Sequence, residues 1–140
     1  MRYFFYGTLM DRVLLAHVLQ RPVGSRELKP AKVRGWRLNA VRCESYPIVF
    51  RQRRALLSGV VLERSTGAER GRLSAYEGDG YTLVRAVAKM RDGGRKPVWL
   101  FAPKPRVYQP ANRPWSLAAW RLGEKRLQRR RGERHDPTRT

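Results

Sequence analysis

Cysteine is almost absent. Cys43 is the single thiol in 140 residues, which excludes a disulfide framework and fits a reducing compartment. Histidine is nearly as scarce: His17 and His135 lie far apart in the chain, so neither metal-ligand spacing nor a nucleophile–histidine pair can be read from them. No serine sits in a nucleophile-elbow motif either. Long apolar runs are missing, which excludes a hydrophobic helical span of the bilayer, and no membrane partner is expected. Asp11, Arg12 and His17 interrupt the apolar core that a signal peptide would need, so the expected compartment is the cytoplasm.

Acidic residues are also few, 11 against 31 Lys and Arg, leaving a formal net charge of +20. The basic residues are 25 Arg and only 6 Lys. Eight lie in the last twenty positions and 23 elsewhere, so the positive field belongs to the body as well as the tail. Such a field concentrates anions and predicts nonspecific nucleic-acid association at low salt. Charge alone does not make a dedicated nucleic-acid protein, and an arginine-rich solvated surface is the plainer reading.

Enough is present for one folded body. With 41% hydrophobic and 10% aromatic residues, the chain can enclose a core, which excludes wholesale disorder. A single domain is expected over residues 1–131, followed by a basic, flexible tail at 132–140. Arg2–Tyr6 reads as a short aromatic strand, and Asp11–Gln20 as a helix with Leu14, Leu15, Val18 and Leu19 on one stripe, ended by Pro22. Strands follow at 31–34, 36–41, 47–50 and 57–63, broken at Gly35 and around Cys43-Glu44-Ser45. Thr66 and Glu69 form a capping-box pattern that opens a short helix toward Tyr76. Two strands, 81–91 and 96–102, flank the hairpin turn Asp92-Gly93-Gly94. Prolines 103, 105, 110 and 114 keep the next stretch extended and irregular, and 115–131 reads as a terminal helix. Together these predict an α+β fold with a closed or strongly curved sheet, a small barrel flanked by short helices.

Two segments carry the chemistry. The aromatic strand stops at Tyr6-Gly7-Thr8-Leu9, immediately before a helix start. A strand turning through glycine into a helix collects unpaired N–H groups beside the positive end of a helix dipole, a setting suited to a carboxylate. Far along the chain, Tyr76-Glu77-Gly78-Asp79-Gly80-Tyr81 presents a lone carboxylate among aromatic residues and turn formers. The pair predicts a carboxylate-binding pocket with a carboxylate base. Duller readings stand beside it: the first segment as a mere strand-to-helix turn, Glu77 as a solvated helix end, and Asp79 as a turn former.

Six short segments then occur in a telling order. Tyr6-Gly7-Thr8-Leu9 is followed by Gly35-Trp36-Arg37-Leu38, by Tyr46-Pro47-Ile48-Val49 and by Ser58-Gly59-Val60-Val61-Leu62-Glu63. After these come Leu73-Ser74-Ala75-Tyr76-Glu77-Gly78 with Tyr81, and a hairpin ending in Val98-Trp99-Leu100-Phe101. Across residues 3–102 this order resembles the gamma-glutamyl cyclotransferase-like superfamily, also called the avirulence-induced-gene-like family. The resemblance implies a small mixed barrel and a cofactor-free reaction without metal. In that reaction a small gamma-glutamyl substrate cyclises through its own α-amine, releasing 5-oxoproline. It also implies roles: Tyr6, Gly7, Thr8 and Leu9 hold the glutamyl moiety, and Glu77 is the acid/base. Tyr46 and Tyr81 are expected to line the pocket, the latter as a wall beside Glu77. The competing reading is a non-catalytic basic scaffold of the same fold that binds nucleic acid or another polyanion.

Overall fold

The computed structural model describes residues 1–41, 47–104, 110–114, 117, 118 and 120–122. Its described elements run in the order β1 (Tyr3–Phe5), α1 (Arg12–Leu19), β2 (Leu28–Val41), β3 (Pro47–Leu62), α2 (Gly67–Glu77), β4 (Tyr81–Met90), β5 (Arg95–Pro103) and β6 (Pro110–Pro114). Short 3-10 turns lie at Thr8–Met10 and Ser25–Glu27. Each of β1 to β5 pairs with two neighbours, in the circular order β3, β1, β5, β4, β2 and back to β3. This closes a five-stranded mixed barrel, with β1 parallel to β5 and the other pairs antiparallel. Closure leaves no edge within the ring, and β6 lies against β2 outside it. The expected α+β barrel with short helices is therefore the architecture found.

The aromatic composition of β1 follows from its position. All three residues are buried, on alternating faces. Phe4 points inward, into an interior core with Val33, Leu57, Val61, Val98 and Leu100. Tyr3 and Phe5 point outward, against Leu15 and Leu19 of α1, Leu73 of α2, and Phe101. A strand covered on both faces has no polar alternation. The two helices thus cover the β1 and β5 side of the barrel, while Lys32, Leu56 and Lys89 on the opposite wall remain exposed.

The middle of the chain departs from expectation. In place of four short strands there are two long ones, paired almost throughout. Gly35, at φ 98°, lies within β2 and is not its end: Arg34 pairs with Leu56 and Trp36 with Arg51, so the register shifts here and the extra residues, 52–55, fall on β3. The Arg51 guanidinium covers the Trp36 ring at 4.5 Å. Residues 51–54 are all exposed, and a polar run of that kind hides a strand from hydrophobic patterning. Residues 110–114, expected to be irregular, form β6 instead. The end of α1 is likewise set by Gln20, in the left-handed conformation at φ 60°, two residues before Pro22. Of the expected terminal helix, 117, 118 and 120–122 are helical; Cys43, Tyr46 and the tail at 132–140 lie outside the described residues.

The capping box is present: Glu69 donates its backbone N–H to Thr66 Oγ1 at 3.1 Å, and Thr66 N–H donates to Glu69 Oε1 at 2.9 Å. The carboxylate also takes the Nε of Arg21, which reaches Glu27 at 2.9 Å as well, while Arg72 donates to the Leu19 carbonyl at 2.9 Å. These contacts lock α2 onto the end of α1. Burial works to raise the Glu69 pKa, but the Thr66 N–H and Arg21 outweigh it and hold the carboxyl below its ordinary value. That contribution to stability is present at neutral pH and is lost as pH falls through the lowered folded value. Arg21→Met, which strands the buried Glu69 carboxylate, is expected to cost about 2 kcal/mol, because the arginine is itself partly solvated. Urea unfolding at pH 7 measures it; no change in midpoint would show the pair to be inert.

Candidate active site

Two connections bring distant segments together at one end of the barrel. The first is the end of β1. Beyond Phe5, Tyr6 stays buried within the interior core, and its hydroxyl donates to the carbonyl of Phe101 near the end of β5. The chain then turns at Gly7: Met10 N–H donates to the Gly7 carbonyl and Asp11 N–H to that of Thr8, both at 3.0 Å. The N–H groups that open such a turn have no partner within it. Leu9 is buried beneath the turn, and Asp11 caps α1 by accepting from Val13 and Leu14. Burial acts to raise the Asp11 pKa, yet the Leu14 N–H and Arg121, paired at 2.8 Å, hold it below the ordinary value.

The second connection is the end of α2. Glu77 is its last residue, and Gly78 closes the helix with its N–H on the Ser74 carbonyl at 3.0 Å. Gly80 accepts from Lys104 N–H at 2.8 Å, fixing the loop to the end of β5 as Tyr81 begins β4. One residue before Glu77, the Tyr76 hydroxyl lies 3.0 Å from Thr8 Oγ1. The bend and the acidic residue therefore meet, although about seventy positions separate them.

Electrostatics describe the same meeting. Glu77 keeps partial surface exposure, yet its carboxyl is surrounded by protein atoms, and burial pushes its pKa up to about 7 from 4.5. Among the described residues no Lys or Arg forms an ion pair with it. The high net charge thus leaves this carboxyl without a described cation to hold it ionised. The Tyr6 phenol is raised well above its ordinary value, first by burial, then by Glu77 and Tyr81. It therefore remains a protonated donor at any physiological pH. What the geometry assembles is a carboxyl half-ionised near neutrality, beside a buried phenol and a turn rich in N–H groups, and such a carboxyl can both accept and return a proton.

Of the residues singled out in the sequence, Tyr6, Thr8, Leu9, Glu77 and Tyr81 gather in this region, with Gly7 in the turn itself, whereas Tyr46 lies outside the described residues. Gly7 has φ −119°, a value open to any residue, so a positive φ is not what its place in the turn requires. Three features of the site had no functional role in the sequence reading. Tyr76 appeared there only as a packing neighbour of Glu77, and its adjacency in the helix was the available hint. The Phe101 carbonyl and the Arg121–Asp11 pair arise from contacts 95 and 110 positions apart, for which the sequence carries no sign.

Residues 3–122 match the model of the family described as gamma-glutamyl cyclotransferase, AIG2-like. No curated protein sequence matches the chain. Among solved structures, one of an Arabidopsis thaliana protein in solution superimposes with a TM-score of 0.67 at 19% identity, over 94% of this chain and 84% of that one. An uncharacterized Homo sapiens protein gives 0.62 at 14% identity, over 78% and 68%. A structure titled gamma-glutamyl cyclotransferase gives 0.57 at 12% identity, over 79% and 69%. At these identities the likeness is one of fold.

Proposed function

Because the chain belongs to the gamma-glutamyl cyclotransferase, AIG2-like family, we propose that it releases 5-oxoproline from a gamma-glutamyl amide, amine or peptide, with Glu77 as the acid/base. The observation that carries the reading is a carboxyl held at about 7 beside the bend that follows β1. The turn at residues 6–9 holds the substrate's α-carboxylate through its N–H groups and the Thr8 hydroxyl, and Tyr81 walls the pocket. The attack is intramolecular, so a site that folds the glutamyl chain on itself removes much of the entropic barrier. Glu77 takes a proton from the α-ammonium, and the neutral amine attacks the γ-carbonyl carbon, forming the ring C–N bond. As the original amide C–N bond breaks, the carboxyl returns a proton to the departing nitrogen. Overall, the two protons lost by the α-nitrogen are the two gained by the leaving amine. A reaction of this kind, in a chain with one cysteine, fits the reducing cytoplasm.

Incubation with gamma-glutamyl amines, gamma-glutamyl dipeptides and glutathione, followed by chromatographic detection of 5-oxoproline, tests the proposal. No product from any of the three classes would refute it. A finer expectation concerns Tyr76→Phe, which removes the hydroxyl beside Thr8. Loss of one hydrogen bond of about 1 kcal/mol should lower kcat/KM roughly fivefold, mainly through KM, because the bond orients a binding group. An equal fall in kcat at constant KM would instead place Tyr76 in the chemistry.

A further inference from the structure

The wall of the barrel away from α1 and α2 holds a groove of about 630 Å3, bordered by Lys32, Arg34, Leu56, Ser58, Lys89 and Arg91. Register explains how the cations meet. Lys32 on β2 lies directly opposite Lys89 on β4 and, on its other side, opposite Ser58 on β3. Arg34 follows two residues along β2, opposite Leu56, and Arg91 continues from the end of β4. All four cations are exposed, and Leu56, 52% exposed, lies among them. Like charges directly across a ladder repel and ordinarily cost stability.

Nothing in the described structure offsets that repulsion. None of the four cations makes an ion pair among the described residues. Of the described acids, Glu63 takes Arg2, Lys29 and Lys96, Glu69 and Glu27 take Arg21, and Asp11 takes Arg121, while Glu77 and Asp79 precede β4 at the end away from Lys89. Asp92, next to Arg91, turns its carboxylate into the hairpin and accepts from Gly94 N–H at 2.8 Å. The groove is therefore a concentrated, uncompensated positive site. It is also remote from Glu77, because eight residue steps along β4, about 26 Å of strand, lead from Tyr81 to Lys89.

We propose that this groove binds the phosphodiester backbone of duplex nucleic acid without regard to sequence. Outward side chains two residues apart on a strand lie about 6.6 Å from one another, a spacing suited to a row of phosphates. Among the described residues no aromatic lines the groove, which gives unpaired bases no described platform to stack on. Cations without stacking or base-edge readers hold phosphates, which fix position and carry no sequence information.

The test measures fluorescence anisotropy of a labelled duplex of about 20 base pairs across roughly 50–300 mM salt. Combined Lys32→Gln, Arg34→Gln, Lys89→Gln and Arg91→Gln should lower the salt slope of log K by about 3 to 4 and weaken binding roughly 100-fold near 150 mM. A charge-matched control, Arg12→Gln, Arg26→Gln, Arg64→Gln and Lys104→Gln, draws on exposed cations outside the groove and should leave most of the affinity. Lys89→Gln alone should lower the slope by about 1, so the groove remains testable if the combined variant folds poorly. Equal losses in both four-site variants would overturn the proposal, since overall charge would then suffice. Retention of affinity in the groove variant would overturn it too, as would groove-dependent binding to phosphatidylserine vesicles with no duplex binding. Glu77→Gln should bind the duplex like the native chain, which keeps this result separate from the fate of the proposed reaction.

Discussion

Glu77→Gln should cut 5-oxoproline formation by roughly 100- to 10,000-fold, the range for loss of a positioned acid/base. The same substitution should make the protein more stable above neutral pH. Glutamine is nearly isosteric with glutamate but cannot ionise, and ionisation of this carboxyl is what its surroundings oppose. The sign follows from linkage. Between the ordinary value of 4.5 and the folded value of about 7, the folded chain holds a proton that the unfolded chain has released. Unfolding then releases protons, so stability falls as pH rises through that window and levels off above it. The gap corresponds to roughly 3 kcal/mol as an upper bound. Thermal unfolding of the native chain should therefore show a higher Tm at pH 5 than at pH 8 by more than the variant does. Native kcat/KM should decline below about pH 7 as the base is protonated, and the residual rate of the variant should lose that inflection. A Gln variant that keeps full activity would end the assignment of Glu77, whatever its stability.

Gly59→Ala is expected to give the largest loss of stability among the changes considered. Gly59 lies on β3 one residue before the stretch, 60–62, that pairs with β1. A methyl group there would stand 2.3 Å from the Phe5 carbonyl oxygen and 2.6 Å from the Phe4 ring. The nearest obstacle is backbone, which no rotamer change can move aside. Displacing β1 disturbs both layers of the core, because Phe4 packs inside the barrel and Phe5 packs under the helices. A loss of about 3 kcal/mol or more, with a fall in Tm of roughly 10 °C, follows from the cost of overpacking. Adding Phe4→Leu removes the ring but not the carbonyl, so the double variant should recover little; full recovery would show the ring to be the only obstacle. The residual folded protein should also be catalytically impaired, since β1 leads directly into Tyr6 and the turn.

Both predictions rest on a molecule only part of which could be read from its residues. The starts of α1 and α2 were legible because caps are local: Asp11 bonds two or three residues ahead, and Thr66 and Glu69 satisfy one another across one turn. The hairpin at Asp92-Gly93-Gly94 was legible for the same reason. By contrast, the continuity of β2 and β3 was hidden. A glycine inside β2 resembles a break, and the exposed polar run at 51–54, where only Arg51 has a partner across the ladder, carries no apolar periodicity that would mark a strand.

For the candidate site the division is similar. Residue order along the chain marked Glu77 and the bend at 6–9 as the chemically interesting segments, and that much the sequence determined by itself. Only the tertiary structure decided that they meet, through Tyr76 on Thr8 and Tyr6 on the Phe101 carbonyl. It also decided that Glu77 is poised near neutrality, because the pKa of a carboxyl is set by the atoms that exclude water from it, and burial is a property of the folded chain. The charge divides the same way. Composition fixed a net +20, but strand register placed Lys32 opposite Lys89 on a wall where, among the described residues, no acid pairs with them. Caps and turns are written over three or four neighbouring residues, whereas burial and cross-strand partners are properties of the closed barrel.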